Sequence, residues 1–526
     1  MAGYNLADLF ERVTDAVPDR IAVVDATGAR RTYAALDERS TRLAHALTAR
    51  AGEHVGLCLH NSIAHVELML ACYKRASVPI NVNWRYTDAE LQYVSADADL
   101  VQLWRDDDVA SPDYDALVAS GSAERDFPPR SGDDHYVLYT GGTTGQPKGV
   151  VWRHEDIFFG ALGGGNPGGP PIARPDEIVA SVRDNPAQRL RAFLPPGDPG
   201  PPQFISLGLG PLVHASGQWS ALGALLGGGK VVLYCDPHVD IPRVVDLIAR
   251  ERVNSLNPVG DASARPLADY LRAHPDHADT SSLRLLGSGG SMLSQDVKDT
   301  LLGLLPSVLA IVEGIGSSES PAQAVAVIRR DGTVPPSLTF SAKPETMVVD
   351  DELTPIARGS GRVGRLATRG RVPLGYYKDA ERTARTFVEI DGVRWVLTGD
   401  LATIDADGTL RFLGRGSASI NTGGEKVYPE EVEGALKSHP AIADAVVAGI
   451  PDPRWGQKVA AVLQLRPTAA IPTRQEIEDH LAPLVARYKL PRFTHVVPSI
   501  ERSPSGKPDY RWATEILTQA AEPTHD

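Results

Sequence analysis

One short stretch of this chain, Tyr139 to Val150 (YTGGTTGQPKGV), gathers the residue types that bind phosphate. Gly141, Gly142 and Gly145 let a backbone turn tightly enough to aim successive N–H groups at an anion. Thr140, Thr143 and Thr144 add hydroxyl donors, and Lys148 adds a cation. The run before it, His135 to Tyr139 (HYVLY), is short, aromatic and β-branched, which predicts a strand feeding a loop. The nucleotide loop of kinases and GTPases needs G-x-x-x-x-G-K-[ST] opening a helix. Here Pro147 precedes Lys148 and Gly149 follows it, so the lysine is expected to stay in the loop. The chemistry on offer is the cradling of a polyphosphate.

Such a cradle needs rigid elements behind it. Tyr33 to Arg50 places Leu36, Leu43 and Leu47 on one helical face with charges between them. Val55 to Leu59 reads as a buried strand, Ala64 to Lys74 as an apolar helix, and Val78 to Val82 as a short strand. Strand, helix and strand in alternation predict a parallel sheet covered by helices. The pattern recurs at Lys230 to Tyr234, Asn254 to Val259 and Leu283 to Gly287, with no fixed-period repeat. Between the phosphate stretch and Pro211, breakers cluster as GGGNPGG (Gly163 to Gly169) and PPGDPGPP (Pro195 to Pro202). Their composition predicts loops rather than a core layer, either a surface insertion or a wall over a bulky substrate.

Composition sets wider bounds. At 526 residues, two to four folding units are expected. Apolar content of 42% and charged content of 23% describe a soluble globular protein. A net charge of −13 argues against nucleic acid as a partner, yet a local basic loop can still hold ATP. Cys58, Cys72 and Cys235 form neither a disulfide framework nor a zinc pattern, as expected of a reducing cytosol. The N-terminus lacks a signal-peptide pattern, and no segment is apolar enough to span a membrane, so a cytoplasmic protein is expected.

The Tyr139–Val150 stretch resembles the phosphate-loop signature of the adenylate-forming superfamily, which comprises acyl-CoA synthetases, peptide-synthetase adenylation domains and luciferases. Gly141 or Gly142 stands where that family usually has serine. Further resemblances follow in family order. Pro211 to Gly217 (PLVHASG) is similar to the Pro-Leu-Phe-His motif, with Val213 replacing the aromatic. This implies that His214 lies beside the acyl pocket and thiol tunnel. Peptide synthetases place an aspartate in this region, and Pro211 to Ser220 contains no acid, which disfavours an amino-acid substrate. Leu283 to Ser291 (LRLLGSGGS) resembles the glycine turn beside adenine, implying contacts from Gly289, Gly290 and Ser291.

Glu313 to Glu319 (EGIGSSE) resembles the motif Tyr-Gly-x-Thr-Glu. It implies nucleotide contacts from Glu313, Gly314, Ile315 and Ser318, with Ile315 replacing the aromatic that normally stacks on adenine. Glu319, together with Thr143, is the implied Mg²⁺ position, as suits hard oxygen ligands. Asp400, closing WVLTGD, matches the family's ribose clamp, since a carboxylate can accept two hydrogen bonds from vicinal hydroxyls. Phe412 and Arg415 complete the implied nucleotide site. Two residues on, Ser417 takes the hinge position, followed by Ala418 where the family generally has Asp. Gly423 and Gly424 resemble the loop that forms the pantetheine tunnel, and Pro429 with Glu430 and Glu431 predicts a helix start. Lys507, in SGKPDYR, looks like the family's catalytic lysine.

The resemblance covers nearly the whole chain. It implies an α/β fold with a large N-terminal domain of stacked α/β subdomains plus a β-barrel-like subdomain (residues 1–415). A hinge at 416–418 and a small mobile α+β C-terminal domain (419–526) would follow. The implied activity is AMP-forming acyl-CoA synthesis from a carboxylic acid, ATP and coenzyme A. The segments RGSASINTGGEKVYPEEVE and SGKPDYRWA look most like actinobacterial acyl-CoA ligases acting on fatty or polycyclic, sterol- or terpenoid-type acids. Aryl or medium-chain acids stay open, as does a carrier-protein phosphopantetheine in place of CoA, and a homodimer is equally open. A nucleotide-binding module without catalysis is disfavoured by Lys507 and Glu319.

Overall fold

The computed structural model describes residues 3–142, 145–166, 169–184, 187–236, 238–289, 293–330, 332, 339–422, 425–452, 455–502 and 507–521. Their strands form three sheets, of 14, 6 and 5 strands. The protein is α/β, with a large N-terminal body and a small C-terminal domain.

The six-stranded sheet carries the phosphate stretch. His54–Cys58, Val78–Asn81 and His135–Gly142 run parallel, as the alternation of strands and helices predicts. The helix Ile63–Lys74 is buried on all sides, which accounts for its having no polar face. His135–Gly142 then turns into Gly145–Arg153 as an antiparallel hairpin, and Gly375–Tyr376 pairs on its far side. Lys148 therefore lies on a strand, opposite Thr140, and not in a loop. Pro147 is tolerated because it sits near the start of its strand, where a missing donor costs little.

The largest sheet is parallel from Ile21–Asp25 across to Ala310–Ile315. Its strands there are short and apolar, as strands buried on both faces must be. The helix Ile241–Glu251 presents Val244, Val245, Leu247 and Ile248 to that core. Beyond Ala310–Ile315 the sheet becomes antiparallel. This end is joined through Thr339–Ala342 and Thr409–Arg415.

The breaker-rich segment differs from its expectation. Among the breakers lie the helices His154–Gly160, Glu177–Asp184 and Gln188–Arg191. Leu162, Ile178, Val182 and Leu190 are fully buried in the same core as Leu6 and Phe10. Ile178 and Val182, four apart on one helix, are enough to seat this segment against the first helix, Leu6–Ala16.

The small sheet uses residues from Ile420 onward and has its own cores, one around Val432, Leu436 and Val447 and another around Ala513 and Leu517. Pro429 opens the helix Pro429–Lys437 at its first position, with Glu430 and Glu431 in the first turn. A 3₁₀ turn, Gly416–Ala418, connects this unit to the strand Thr409–Arg415. The three cysteines are free, and burial pushes the Cys72 thiol up to about 12. No helix among the described residues is long and apolar enough to cross a membrane.

Candidate active site

The hairpin and the Glu319 loop meet directly. Lys148 Nζ lies 2.9 Å from Glu319 Oε1 and donates to the Tyr376 hydroxyl at 2.8 Å. Tyr376 OH donates to the same Glu319 oxygen at 2.6 Å, and the ammonium sits 4.1 Å from the Tyr376 ring centroid. Burial by itself would raise the Glu319 carboxyl. The Lys148 ammonium and the hydroxyls of Tyr376 and Ser317 outweigh it and hold the carboxyl down at about 2. Glu319 is thus ionised, buried and aimed at the hairpin. The Tyr376 phenol is pushed up by burial and by the Glu319 charge, so it stays a neutral donor.

A tight loop fixes Glu319. Ser317 N donates to Ser320 O at 2.8 Å, and the Ser317 hydroxyl accepts from Glu319 N at 3.2 Å. Gly316 is required here, because a Cβ would lie 2.2 Å from the Pro321 carbonyl oxygen. Trp152, on the hairpin's second strand, donates its indole N–H to Ser318 O at 3.1 Å.

Asn81 ties the hairpin to the His214 turn. Its side-chain amide donates to Tyr139 O at 2.7 Å and to Val213 O at 2.6 Å. Its carbonyl oxygen accepts from Tyr139 N at 2.7 Å. His214 itself is half-buried at the N-terminus of the helix Ala215–Leu226. That helix starts very close to the preceding turn: a Cβ at Gly217 would lie 2.3 Å from Pro211 O. Trp219 and Gln218 reach back to the Tyr136 hydroxyl on the hairpin strand. Hairpin, His214 turn and helix are one hydrogen-bonded unit.

On the largest sheet, Gly289 and Gly314 stand opposite each other on neighbouring parallel strands. No described atom lies within 4 Å of where a Cβ would be on either glycine, so a flat ring can approach this backbone. Ile315 is buried in the second core, and Glu313 is engaged by Lys298 and by the Leu293 amide at 3.1 Å. Asp400 pairs with Arg415 across the antiparallel ladder, with Phe412 on the same strand as Arg415. Thr398 donates to Asp400 Oδ2 at 2.5 Å and accepts from Gln323 at 3.2 Å, which links Asp400 back to the residue just before the strand Ala324–Arg329.

Of the sequence-derived positions, Thr140, Lys148, Glu319 and the His214 turn are therefore joined, and Gly289 is joined with Gly314. Gly142 and Gly145 close the hairpin beside Gly141. Thr143, Thr144, Gly290, Ser291, Gly423 and Gly424 lie outside the described residues. Ser417 lies in the 3₁₀ turn, and Lys507 is half-buried beside the Arg502–Pro508 bridge. Two residues escaped the sequence reading. Asn81 had a signal, as a polar residue inside the apolar run VPIN, and Tyr376 had a weaker one in the aromatic pair of LGYYKD.

The chain belongs to the AMP-binding enzyme family: residues 10–377 match that family's model, and residues 431–507 match the model of the AMP-binding enzyme C-terminal domain. It is 40% identical to a 3-oxocholest-4-en-26-oate–CoA ligase of Rhodococcus rhodochrous, covering 97% of this chain and 95% of that one. It is also 40% identical to a medium/long-chain-fatty-acid–CoA/3-oxocholest-4-en-26-oate–CoA ligase of Mycolicibacterium smegmatis, covering 98% and 97%. Its fold is similar to that of an anthranilate CoA ligase crystallised with anthranoyl-AMP, with a TM-score of 0.82, 22% identity and coverage of 99% and 98%.

Proposed function

We propose that this protein is an AMP-forming acyl-CoA ligase acting on a bulky hydrophobic acid, sterol-derived or medium- to long-chain fatty. The observation that carries this reading is the Lys148–Glu319–Tyr376 cluster, whose Glu319 follows the strand that pairs Gly314 with Gly289. A cation on the hairpin paired with an ionised carboxylate on the loop after that strand, together with room for a flat base, suits a nucleoside polyphosphate. Full-length similarity to ligases named for sterol and fatty acids supports the acid class.

A carboxylate is a poor acylating agent because its leaving group would be oxide. Attack of its oxygen on the α-phosphorus of ATP forms acyl-AMP and releases pyrophosphate. Positioning and charge neutralisation dominate such a step. Lys148 and the hairpin N–H groups would take the phosphates, and Asp400 with Arg415 the ribose. Lys507 would stand between the substrate carboxylate and the α-phosphate, offsetting their repulsion. A CoA thiolate then attacks the acyl carbonyl, and AMP leaves with one of the acid's original oxygens. His214 would flank that carbonyl. The small domain, turning at Ser417, would exchange Lys507 for the Gly423–Gly424 loop between the two steps.

Glu319 fits a Mg²⁺ ligand, since that ion takes one or two carboxylates plus phosphate oxygens and needs no protein cage. Glu319 and Thr143 would hold the ion, which when bound would neutralise phosphate charge.

The test is pyrophosphate release across fatty, aryl and polycyclic acids, with and without CoA. Sterol or fatty acids should dominate and yield the CoA thioester. Pyrophosphate without CoA use would point to a carrier-protein acceptor, and no release with any acid would overturn the reading.

A further inference from the structure

Arg189 is a half-buried cation that has no acidic partner among the described residues. Its Nε is buried without a hydrogen-bond partner, and Nη2 reaches only the Leu162 carbonyl, at 3.5 Å. The guanidinium also lies 5.7 Å from the centroid of the Phe204 ring. Burial pushes the group down to about 10. Removing a charge from water without a counter-charge is costly, and such groups concentrate where a ligand completes them.

Its position ties it to the acyl site. The guanidinium lies on the helix that begins after His214, since a Cβ at Gly223 would come 2.2 Å from Nη2. Gly223 shares one helical face with Ser216, Trp219 and Ser220. Ser216 is exposed and Trp219 and Ser220 are half-buried, while Gly223, at the far end of the same face, is buried against the guanidinium. This face thus leads from the His214 turn to Arg189. At about 1.5 Å per residue the two ends are about 13 Å apart along the helix axis. Gly223 leaves the guanidinium its seat, because any side chain there would displace it.

We propose that Arg189 is a specificity residue of the acyl site, donating hydrogen bonds to an acceptor oxygen carried at the far end of an elongated acid. This rests on the acyl-CoA ligase reading, with the reacting carboxylate at the His214 end. A ring ketone and a distal carboxylate share the required chemistry. An acid lacking that oxygen leaves the guanidinium buried and unpaired, so the site rejects it by the cost of that desolvation.

The test compares kcat/KM for pyrophosphate release within two matched pairs. One pair is 3-oxocholest-4-en-26-oate and the same sterol acid without its 3-oxo group, and the other is a long-chain α,ω-diacid and its monoacid. The wild-type protein should prefer the distal oxygen by about tenfold or more in one pair, which identifies ketone or carboxylate. Arg189→Met should abolish that preference while retaining turnover of the oxygen-free acid, and Arg189→Lys should restore part of it. Gly223→Ala, which displaces the guanidinium but keeps the charge, should lower the preference as well. If Arg189→Met folds poorly and loses turnover of both acids, the Lys and Gly223 variants decide the matter. No preference in either wild-type pair, or a preference that survives loss or displacement of the guanidinium, would overturn the proposal. Failure of the wild type to release pyrophosphate with any acid overturns the ligase reading instead, and is seen before any variant is made.

Discussion

Lys148, Glu319 and Tyr376 form a charged knot in which each member touches the other two. Net contributions of hydrogen bonds to charged groups run to about 1.5–3 kcal/mol, or roughly tenfold to hundredfold in rate where the group acts in the transition state. Tyr376→Phe removes one hydroxyl and leaves the ring over Lys148. We expect adenylation to fall by about tenfold while the thermal midpoint barely moves, since the two charges still pair. A fall in stability with unchanged adenylation would assign Tyr376 to the fold alone. Lys148 and Glu319 were legible because each sits in a dense local motif. Tyr376 was not, because it arrives on an edge strand more than 200 residues after Lys148, and only the folded sheet places it beside the hairpin.

Among the elements, the hairpin and the His214 helix depend on Asn81. Asn81→Ala would strip the buried Tyr139 amide and the Val213 carbonyl of a partner, at about 1–3 kcal/mol for each group left unsatisfied. Denaturant titration should show a loss of that order, with adenylation falling further than stability explains. Unchanged values in both would mean that other contacts set the hairpin. A second consequence concerns pH. His154 is buried, accepts the Leu6 N–H at 3.2 Å, and is pushed down to about 3 by burial. Its neutral form contributes stability in full above the unfolded value near 6.5, and that contribution is lost as pH falls toward 3. Thermal midpoints should therefore drop between pH 6.5 and 4, and His154→Asn, whose Oδ1 can still accept from Leu6, should flatten that slope. An identical slope in both proteins would contradict the burial argument. The parallel strands and the helix Ile63–Lys74 were readable from apolar runs and their alternation. The helices inside the breaker-rich segment were not, because a few buried side chains such as Ile178 and Val182 outweigh the glycines and prolines around them. Lys148 was expected in a loop for a related reason: the partner strand that straightens Gly145–Arg153 is not local information.

At the scale of the whole molecule, the proposed reaction is shared between two bodies. On the proposed reading the small domain brings Lys507, and in this conformation Arg466 donates to Asp296 of the large body at 2.6 Å. If the account is right, Lys507→Ala slows pyrophosphate release far more than thioester formation from supplied acyl-AMP, and equal losses in both half-reactions would remove Lys507 from its role. The domain order was legible because the motifs follow one another along the chain. The contact between the bodies was not, since Asp296 and Arg466 are unremarkable surface charges until the fold joins them. The central claim is that the acid's own oxygen attacks the α-phosphorus of ATP. The most direct measurement is mass spectrometry of the AMP formed when a heavy-oxygen-labelled sterol or fatty acid is converted to its CoA thioester. One labelled oxygen should appear in AMP and pyrophosphate should be unlabelled, whereas unlabelled AMP, or ADP and phosphate in its place, would contradict the account.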